Sequence, residues 1–165
     1  MINDMTTKRK TVLITICILL AATLIFIWGH SLKSIPESAA QSLRVLENIE
    51  PLLEIFVGEG NVSDHLVRKL AHFIEFGGLG LELMALLIIR KRVRLQPIIN
   101  CLFAGFFVAA MDETIQIFSE RGSQLQDVWL DFAGVCAGIG GVLLIRWVAS
   151  PKHKNRKDEL SNSGK

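Results

Sequence analysis

Four apolar stretches constrain what this chain can fold into more than any other feature. They cover residues 11–29, 70–89, 96–118 and 127–149. Each is long enough to cross a hydrocarbon core of ~30 Å as a helix, which needs about 20 residues. A chain of 165 residues with 50% hydrophobic and only 21% charged residues fits a small membrane protein better than a soluble domain. We therefore predict a single all-α membrane domain with four transmembrane helices.

The distribution of basic residues predicts the orientation of these helices. Lysine and arginine concentrate before the first stretch, in residues 90–94 and in the tail 150–165. Because cytoplasmic segments carry the excess of basic residues, both termini are expected in the cytoplasm of a multi-pass plasma-membrane protein. A cleaved signal peptide is the alternative for the first stretch, but its apolar run exceeds the roughly 7–15 residues typical of such signals. We expect the first stretch to remain as a span.

The segment between the first and second stretches has the pattern of a surface helix. Apolar residues recur there at helical spacing, at Leu43, Leu46, Ile49, Leu53 and Phe56, with glutamates between them. This pattern predicts an extracytoplasmic amphipathic helix over 36–57. Ser63 can cap the helix that follows.

Ionisable and amide side chains interrupt three of the apolar stretches at one predicted depth. With the orientation above, the outer turns of the second, third and fourth spans carry His72, Glu75, Asp112, Glu113, Gln116, Asp127 and Asp131. Such groups are costly in lipid, so they usually face a bundle interior or a wet cavity and indicate function. Glu82 is the exception, because it lies about 10 Å deeper than Glu75 at 1.5 Å per residue.

These side chains predict a ligand-binding pocket in the outer leaflet. The candidate residues are Lys69, His72, Glu75, Asp112, Glu113, Gln116, Arg121, Asp127 and Asp131. The acids cannot all stay charged without protonation, a basic partner or a cation. His72 and Glu75, at i and i+3, can supply two metal ligands from one helix, although a hydrogen-bonded packing pair explains them equally well. A divalent cation is therefore a candidate cofactor. The structural alternative is a closed network in which Arg121 and Lys69 neutralise the acids.

Glycines in the second and fourth stretches predict close helix packing. Gly134 and Gly138 form a Gly-x-x-x-Gly pair, which permits close contact between helices. The same close contact is predicted at Gly77, Gly78 and Gly80. The second group lies within a span, so it is not a phosphate-binding loop. The short basic runs beside the membrane follow the orientation rule, and no nucleic-acid partner is expected.

Several of these residues stand at the spacing of a known family. Residues 69–76, KLAHFIEF, resemble the Lys-x-x-His-Phe-x-Glu-Tyr stretch of the VanZ-like family of bacterial membrane proteins. The family's Asp-Glu-x-x-Gln…Arg…Asp…Gly pattern and its spaced serines match Asp112, Glu113, Gln116, Arg121, Asp127, Gly134, Gly138, Ser31, Ser38 and Ser42. Phe76 stands where the family usually has tyrosine, and Asp131 where it often has asparagine.

The resemblance implies a multi-span plasma-membrane protein and suggests a physiological setting. The family's namesake is linked to low-level resistance to teicoplanin, a glycopeptide with a lipid tail. Together with the predicted pocket, this favours binding of a membrane-lipid head group or an amphiphilic antibiotic, in envelope physiology or in glycopeptide and lipoglycopeptide resistance. The alternative is a metal-assisted membrane enzyme acting on a phosphate- or sugar-linked envelope lipid. A transport pathway is the least favoured, because only Glu82 lies deeper.

Overall fold

The computed structural model describes residues 2–32, 63–118 and 124–150. These residues form α1 (Ile2–Ser31), α2 (Asp64–Ile89), α3 (Leu95–Phe118) and α4 (Leu125–Val148), and they include no strand. All four helices are long and apolar enough to cross a membrane. The predicted all-α class with four spans is confirmed.

Helix α2 begins before the predicted span because its N-terminus is capped. The Ser63 side chain accepts a hydrogen bond from the backbone N–H of Leu66, at 3.2 Å. This bond satisfies one of the backbone donors that have no partner within the first turn of a helix. The helix therefore starts at Asp64 rather than at residue 70, and the predicted capping role of Ser63 is confirmed.

Among the four described helices, α2 and α4 make the most extensive contact, and glycines make their close approach possible. A Cβ atom placed on Gly138 would collide with the backbone oxygen of Gly77, and one placed on Gly80 would collide with that of Val135. A Cβ atom on Gly134 would meet the backbone oxygen of Phe73. We call Gly77, Gly80, Gly134 and Gly138 the glycine seam. Their predicted role in helix packing is confirmed. The same prediction is wrong for Gly78, because no atom lies within 4 Å of a Cβ built there.

The core of the bundle lies around this seam, and α1 lies at its edge. Buried apolar side chains come from all four helices and include Ile27, Phe76, Leu79, Met84, Cys101, Ala109, Val135 and Ile139. Only 6% of the most apolar part of α1 is buried, against 33% in each of the other three helices. Among the described residues of α1, the buried side chains are Ile27 and Ser31, which lie near its C-terminal end.

Some predictions concern residues outside the described part of the chain. These predictions are the amphipathic helix at 36–57, the roles of Ser38, Ser42 and Arg121, and the tail beyond Ser150. The orientation of the bundle in the membrane stays a prediction.

Candidate functional site

A layer of buried and half-buried polar side chains lies near one end of the bundle, which we call the site end. Here α1 and α3 end while α2 and α4 begin. Its members, which we call the site layer, are Ser31, His72, Asp112, Gln116 and Asp131. At 1.5 Å per residue, His72 lies about 12 Å from the start of α2, and Asp131 about 9 Å from the start of α4. The spans therefore bring these side chains to a similar depth, as their positions in the sequence predicted.

Asp112 is the most firmly held member of the layer. Its side chain is fully buried. The Ser31 hydroxyl donates to Asp112 Oδ1 at 2.6 Å, and Gln116 Nε2 donates to Asp112 Oδ2 at 2.8 Å. Hydrogen bonds to a charged acceptor are short and strong, so these two donors fix the orientation of the carboxylate.

His72 lies between two buried carboxylates. Its Nδ1 atom is 3.9 Å from Asp112 Oδ2 and 3.8 Å from Asp131 Oδ1. The possible metal-ligand atoms of His72, Asp112 and Asp131 all lie within 4.8 Å of one another. These three residues can therefore hold a metal ion with modest movement of their side chains.

Asp131 differs from Asp112 in its lack of hydrogen-bond donors. Its side chain is only 1% exposed, yet neither carboxylate oxygen accepts a hydrogen bond from the described residues. A buried polar group without a partner costs about 1–3 kcal/mol, and a charged one costs more. Asp131 therefore requires a proton, a cation or a ligand donor.

A small cavity opens beside this carboxylate. Its lining consists of Arg68, Lys69, His72, Gln116, Asp127, Leu130 and Asp131. Its volume of about 20 Å³ is sufficient for one water molecule or a bare ion. Any larger ligand would have its bulk at the mouth rather than inside.

The mouth of the cavity carries an ion pair. Lys69 Nζ lies 3.0 Å from Asp127 Oδ1, and both side chains are about a quarter exposed. The pair joins the ammonium group to a single carboxylate oxygen. Since an ammonium group has three donors, Lys69 retains donors for a second anionic oxygen.

Most of the chain matches a known protein family. A model of the VanZ/LLP1 family matches residues 12–146 of the chain. The chain belongs to the VanZ/LLP1 family. Searches of curated proteins and of solved structures gave no match. With its four apolar helices, the chain is a multi-pass protein of the bacterial cell membrane.

Other predicted site residues of this VanZ/LLP1 protein lie around the layer with different contacts. Glu113 is buried, and its Oε1 accepts the backbone N–H of Gln124 at 2.5 Å. This bond joins the end of α3 to the residue before α4. Glu75 is half-buried and does not line the cavity. Within the described residues, the metal-capable group joins His72 to Asp112 and Asp131, not to Glu75.

Ser31 is the member of the layer that residue chemistry alone did not single out. A serine at the end of an apolar run is ordinary, and its only signal was the likeness to the spaced serines of the VanZ/LLP1 family. Its partner Asp112 is 81 residues away in the chain. Only the packing of α1 against α3 brings the two side chains together.

The deeper acid, Glu82, has a separate partner. The hydroxyl of Thr23 in α1 donates to Glu82 Oε1 at 2.8 Å, while Oε2 is buried and accepts no hydrogen bond from the described residues. Glu82 does not line the cavity at the site end. It therefore forms a second polar contact, deeper in the bundle.

Proposed function

We propose that this VanZ/LLP1 protein binds the polar head group of an envelope lipid or of an amphiphilic antibiotic at the site end. Its role would lie in cell-envelope physiology or in resistance to glycopeptides and lipoglycopeptides. The observation that carries the proposal is the cavity beside Asp131, which has cationic side chains at its mouth and buried polar groups in its floor.

The depth of the cavity suits an amphiphile. Asp131 lies about 9 Å below the start of α4. A hydrocarbon core of ~30 Å centred on this helix of 24 residues would place Asp131 roughly 6 Å inside the core, within reach of the head groups. A bound amphiphile can therefore leave its tail in the lipid while its head group reaches Lys69. A fully soluble ligand gains nothing from this position.

The cations at the mouth favour an anionic head group. Arg68 and Lys69 both line the cavity, and arginine and lysine bind phosphate or carboxylate oxygens through charge-assisted hydrogen bonds. Lys69 contacts one oxygen of Asp127 and has donors left for the ligand. Asp127 would then orient Lys69 rather than bind the ligand itself.

The resistance form of the proposal also draws on the family name. Teicoplanin is a glycopeptide with a lipid tail. It therefore combines a polar part, which could bind at the cavity mouth, with an apolar tail, which could stay in the lipid. The predicted orientation would present the site to the outside of the cell, where an amphiphile from the medium arrives first.

A deletion strain tests the proposal. Deletion should increase sensitivity to lipoglycopeptides, and wild-type protein should restore resistance, whereas Lys69→Gln and Asp112→Asn should not. Arg90→Gln is the matched control, since it removes an exposed cation at the opposite end of α2. Native mass spectrometry of the purified variants should show a bound amphiphile in wild type and Arg90→Gln only. Unchanged sensitivity on deletion would count against the resistance form, and a bound amphiphile in Lys69→Gln would count against the site.

A second candidate is a metal-assisted enzyme acting on a phosphate- or sugar-linked envelope lipid. The closeness of His72, Asp112 and Asp131 beneath the cavity mouth favours it, because a divalent ion held there could activate a water molecule next to a bound head group. Purified protein loaded with metal should then release head groups from lipid extracts. Absence of turnover under those conditions would remove this candidate.

A further inference from the structure

We infer that His72, Asp112 and Asp131 form a binding site for a divalent transition-metal ion, with Zn²⁺ and Mn²⁺ as the best-suited ions. The three residues come from α2, α3 and α4 and are all buried. The inference concerns the ion alone and does not require that a head group binds.

The distances between the donor atoms support the assignment. His72 Nδ1 lies 3.9 Å from Asp112 Oδ2 and 3.8 Å from Asp131 Oδ1. Donors about 2.1 Å from a tetrahedral zinc ion stand about 3.4 Å apart. A shift of roughly half an ångström in each of these two pairs is needed, and of up to about 1.4 Å between the two carboxylates, since all three donor atoms lie within 4.8 Å of one another. Side-chain rotation can supply movements of this size and so complete a coordination sphere.

The charges of the three side chains also match a divalent ion. A neutral imidazole and two carboxylates sum to two negative charges, which one divalent cation balances. Lys69 contacts Asp127, and neither oxygen of Asp131 accepts a hydrogen bond from the described residues. A buried carboxylate in this state is costly unless it is neutralised or coordinates a metal.

The surroundings of Asp112 are those of a metal ligand. Carboxylates that bind metals are usually themselves hydrogen-bonded, which fixes their orientation. Ser31 and Gln116 donate to the two oxygens of Asp112. One carboxylate is thus oriented in advance, while that of Asp131 is left for the ion.

The donor set narrows the choice of metal. Imidazole suits zinc and related transition metals, whereas carboxylates also suit Mg²⁺, Ca²⁺ and Mn²⁺. One imidazole with two carboxylates therefore favours Zn²⁺ or Mn²⁺ over Mg²⁺, which prefers oxygen ligands and keeps several waters. The adjoining cavity of about 20 Å³ has room for one water as a fourth ligand.

Metal titration of the purified full-length protein in detergent tests the inference. Equilibrium dialysis followed by elemental analysis should show one Zn²⁺ or Mn²⁺ per chain, with much weaker binding of Mg²⁺. Asp131→Asn and His72→Gln should weaken Zn²⁺ binding by more than about 100-fold, and Ser31→Ala by roughly 10–100-fold as the loss of a supporting hydrogen bond. Glu82→Gln is the matched control, since it changes a carboxylate to an amide elsewhere in the bundle and should bind as wild type.

A second measurement uses the wild-type protein and so does not depend on variants that fold poorly. Co²⁺ bound to wild type should give the visible absorption of a coordinated ion, and added Zn²⁺ should abolish it. Wild type that binds no Zn²⁺ and no Mn²⁺, or Asp131→Asn that binds as tightly as wild type, would overturn the inference. Lipid binding measured in chelator separates the two proposals. Lipid retained without metal leaves head-group binding standing, and metal bound without lipid leaves the ion site standing.

Discussion

The glycine seam and the site layer are adjacent parts of the same helix pair, but they are built on opposite principles. In the seam, the backbones of α2 and α4 leave no room for a Cβ atom at Gly80 or Gly138. In the layer, one turn towards the site end, Asp131 has buried oxygens that accept no hydrogen bond from any residue that the structure describes. The contacts of the seam are satisfied between α2 and α4, whereas the described residues leave Asp131 of the layer without a hydrogen-bond donor.

This difference separates stability from function. Lipid tails are as apolar as the helices, so helix association in membranes depends on close packing and on hydrogen bonds between helices. The seam supplies that packing. The layer instead contains buried charge of the kind that usually marks a functional site in a membrane protein. Replacing a seam glycine should therefore lower stability, whereas replacing the Asp131 carboxyl by an amide should raise it.

The largest effect is expected from breaking the seam. Gly138→Val places side-chain atoms against the backbone of Gly77 and Leu81, which cannot move without separating α2 from α4. Overpacking typically costs about 1–3 kcal/mol of stability and sometimes more. We expect a cost at the upper end of this range, because the added atoms collide with backbone and not with a flexible side chain. Thermal unfolding in detergent measures the loss. Gly140→Val is the control, because no atom lies within 4 Å of a Cβ built there, and an equal loss in both variants would show that the seam is not special.

The next effect should have the opposite sign. Asp131→Asn keeps the shape of the side chain and removes a carboxyl group that, without metal, must either stay charged in a buried position or take up a proton when the protein folds. In the presence of a chelator the free energy of unfolding should therefore rise by about 1–2 kcal/mol. The same variant should lose antibiotic resistance and ligand binding. Chemical or thermal unfolding of the metal-free protein measures the predicted gain in stability. A clear destabilisation of metal-free Asp131→Asn would mean that the layer is a closed structural network.

A smaller loss is expected at the deeper polar contact. Thr23→Val removes the hydroxyl that donates to Glu82 Oε1 and should cost about 1–2 kcal/mol, since a buried acceptor loses its partner. Metal and head-group binding should stay unchanged, because neither residue belongs to the site layer. Thr23→Ser, which retains the donor, is the control for the unfolding measurement. Loss of ligand binding in Thr23→Val would show that the two polar regions act together.

The smallest effect is expected at the start of α2. Ser63→Ala removes the side-chain acceptor for the N–H of Leu66 and should cost about 1 kcal/mol. Ser63→Asp should retain the cap and therefore the stability, as measured by thermal unfolding. If Ser63→Ala also weakens binding at Lys69, the first turns of α2 contribute to the site as well as to the fold.

The candidate site was only partly predictable from the chain. The positions of His72, Asp112 and Asp131 within apolar stretches were enough to predict one shared depth. Their mutual distances were not, because they depend on the rotation of each helix about its own axis. For the same reason the i,i+3 spacing of His72 and Glu75 favoured a pair within one helix, whereas the structure groups His72 with acids from two other helices.

The sequence by itself determined the spans, because the length and polarity of a stretch decide whether a helix can lie in lipid. It also determined that α2 and α4 could approach closely, because their glycines carry no side chain. Only the tertiary structure decided which polar groups became partners. The seam fixes the register between α2 and α4, and α1 places Ser31 against Asp112 across 81 residues of chain. That arrangement gives Asp112 two donors and leaves Asp131 with none from the described residues, a difference that no local pattern in the sequence contains.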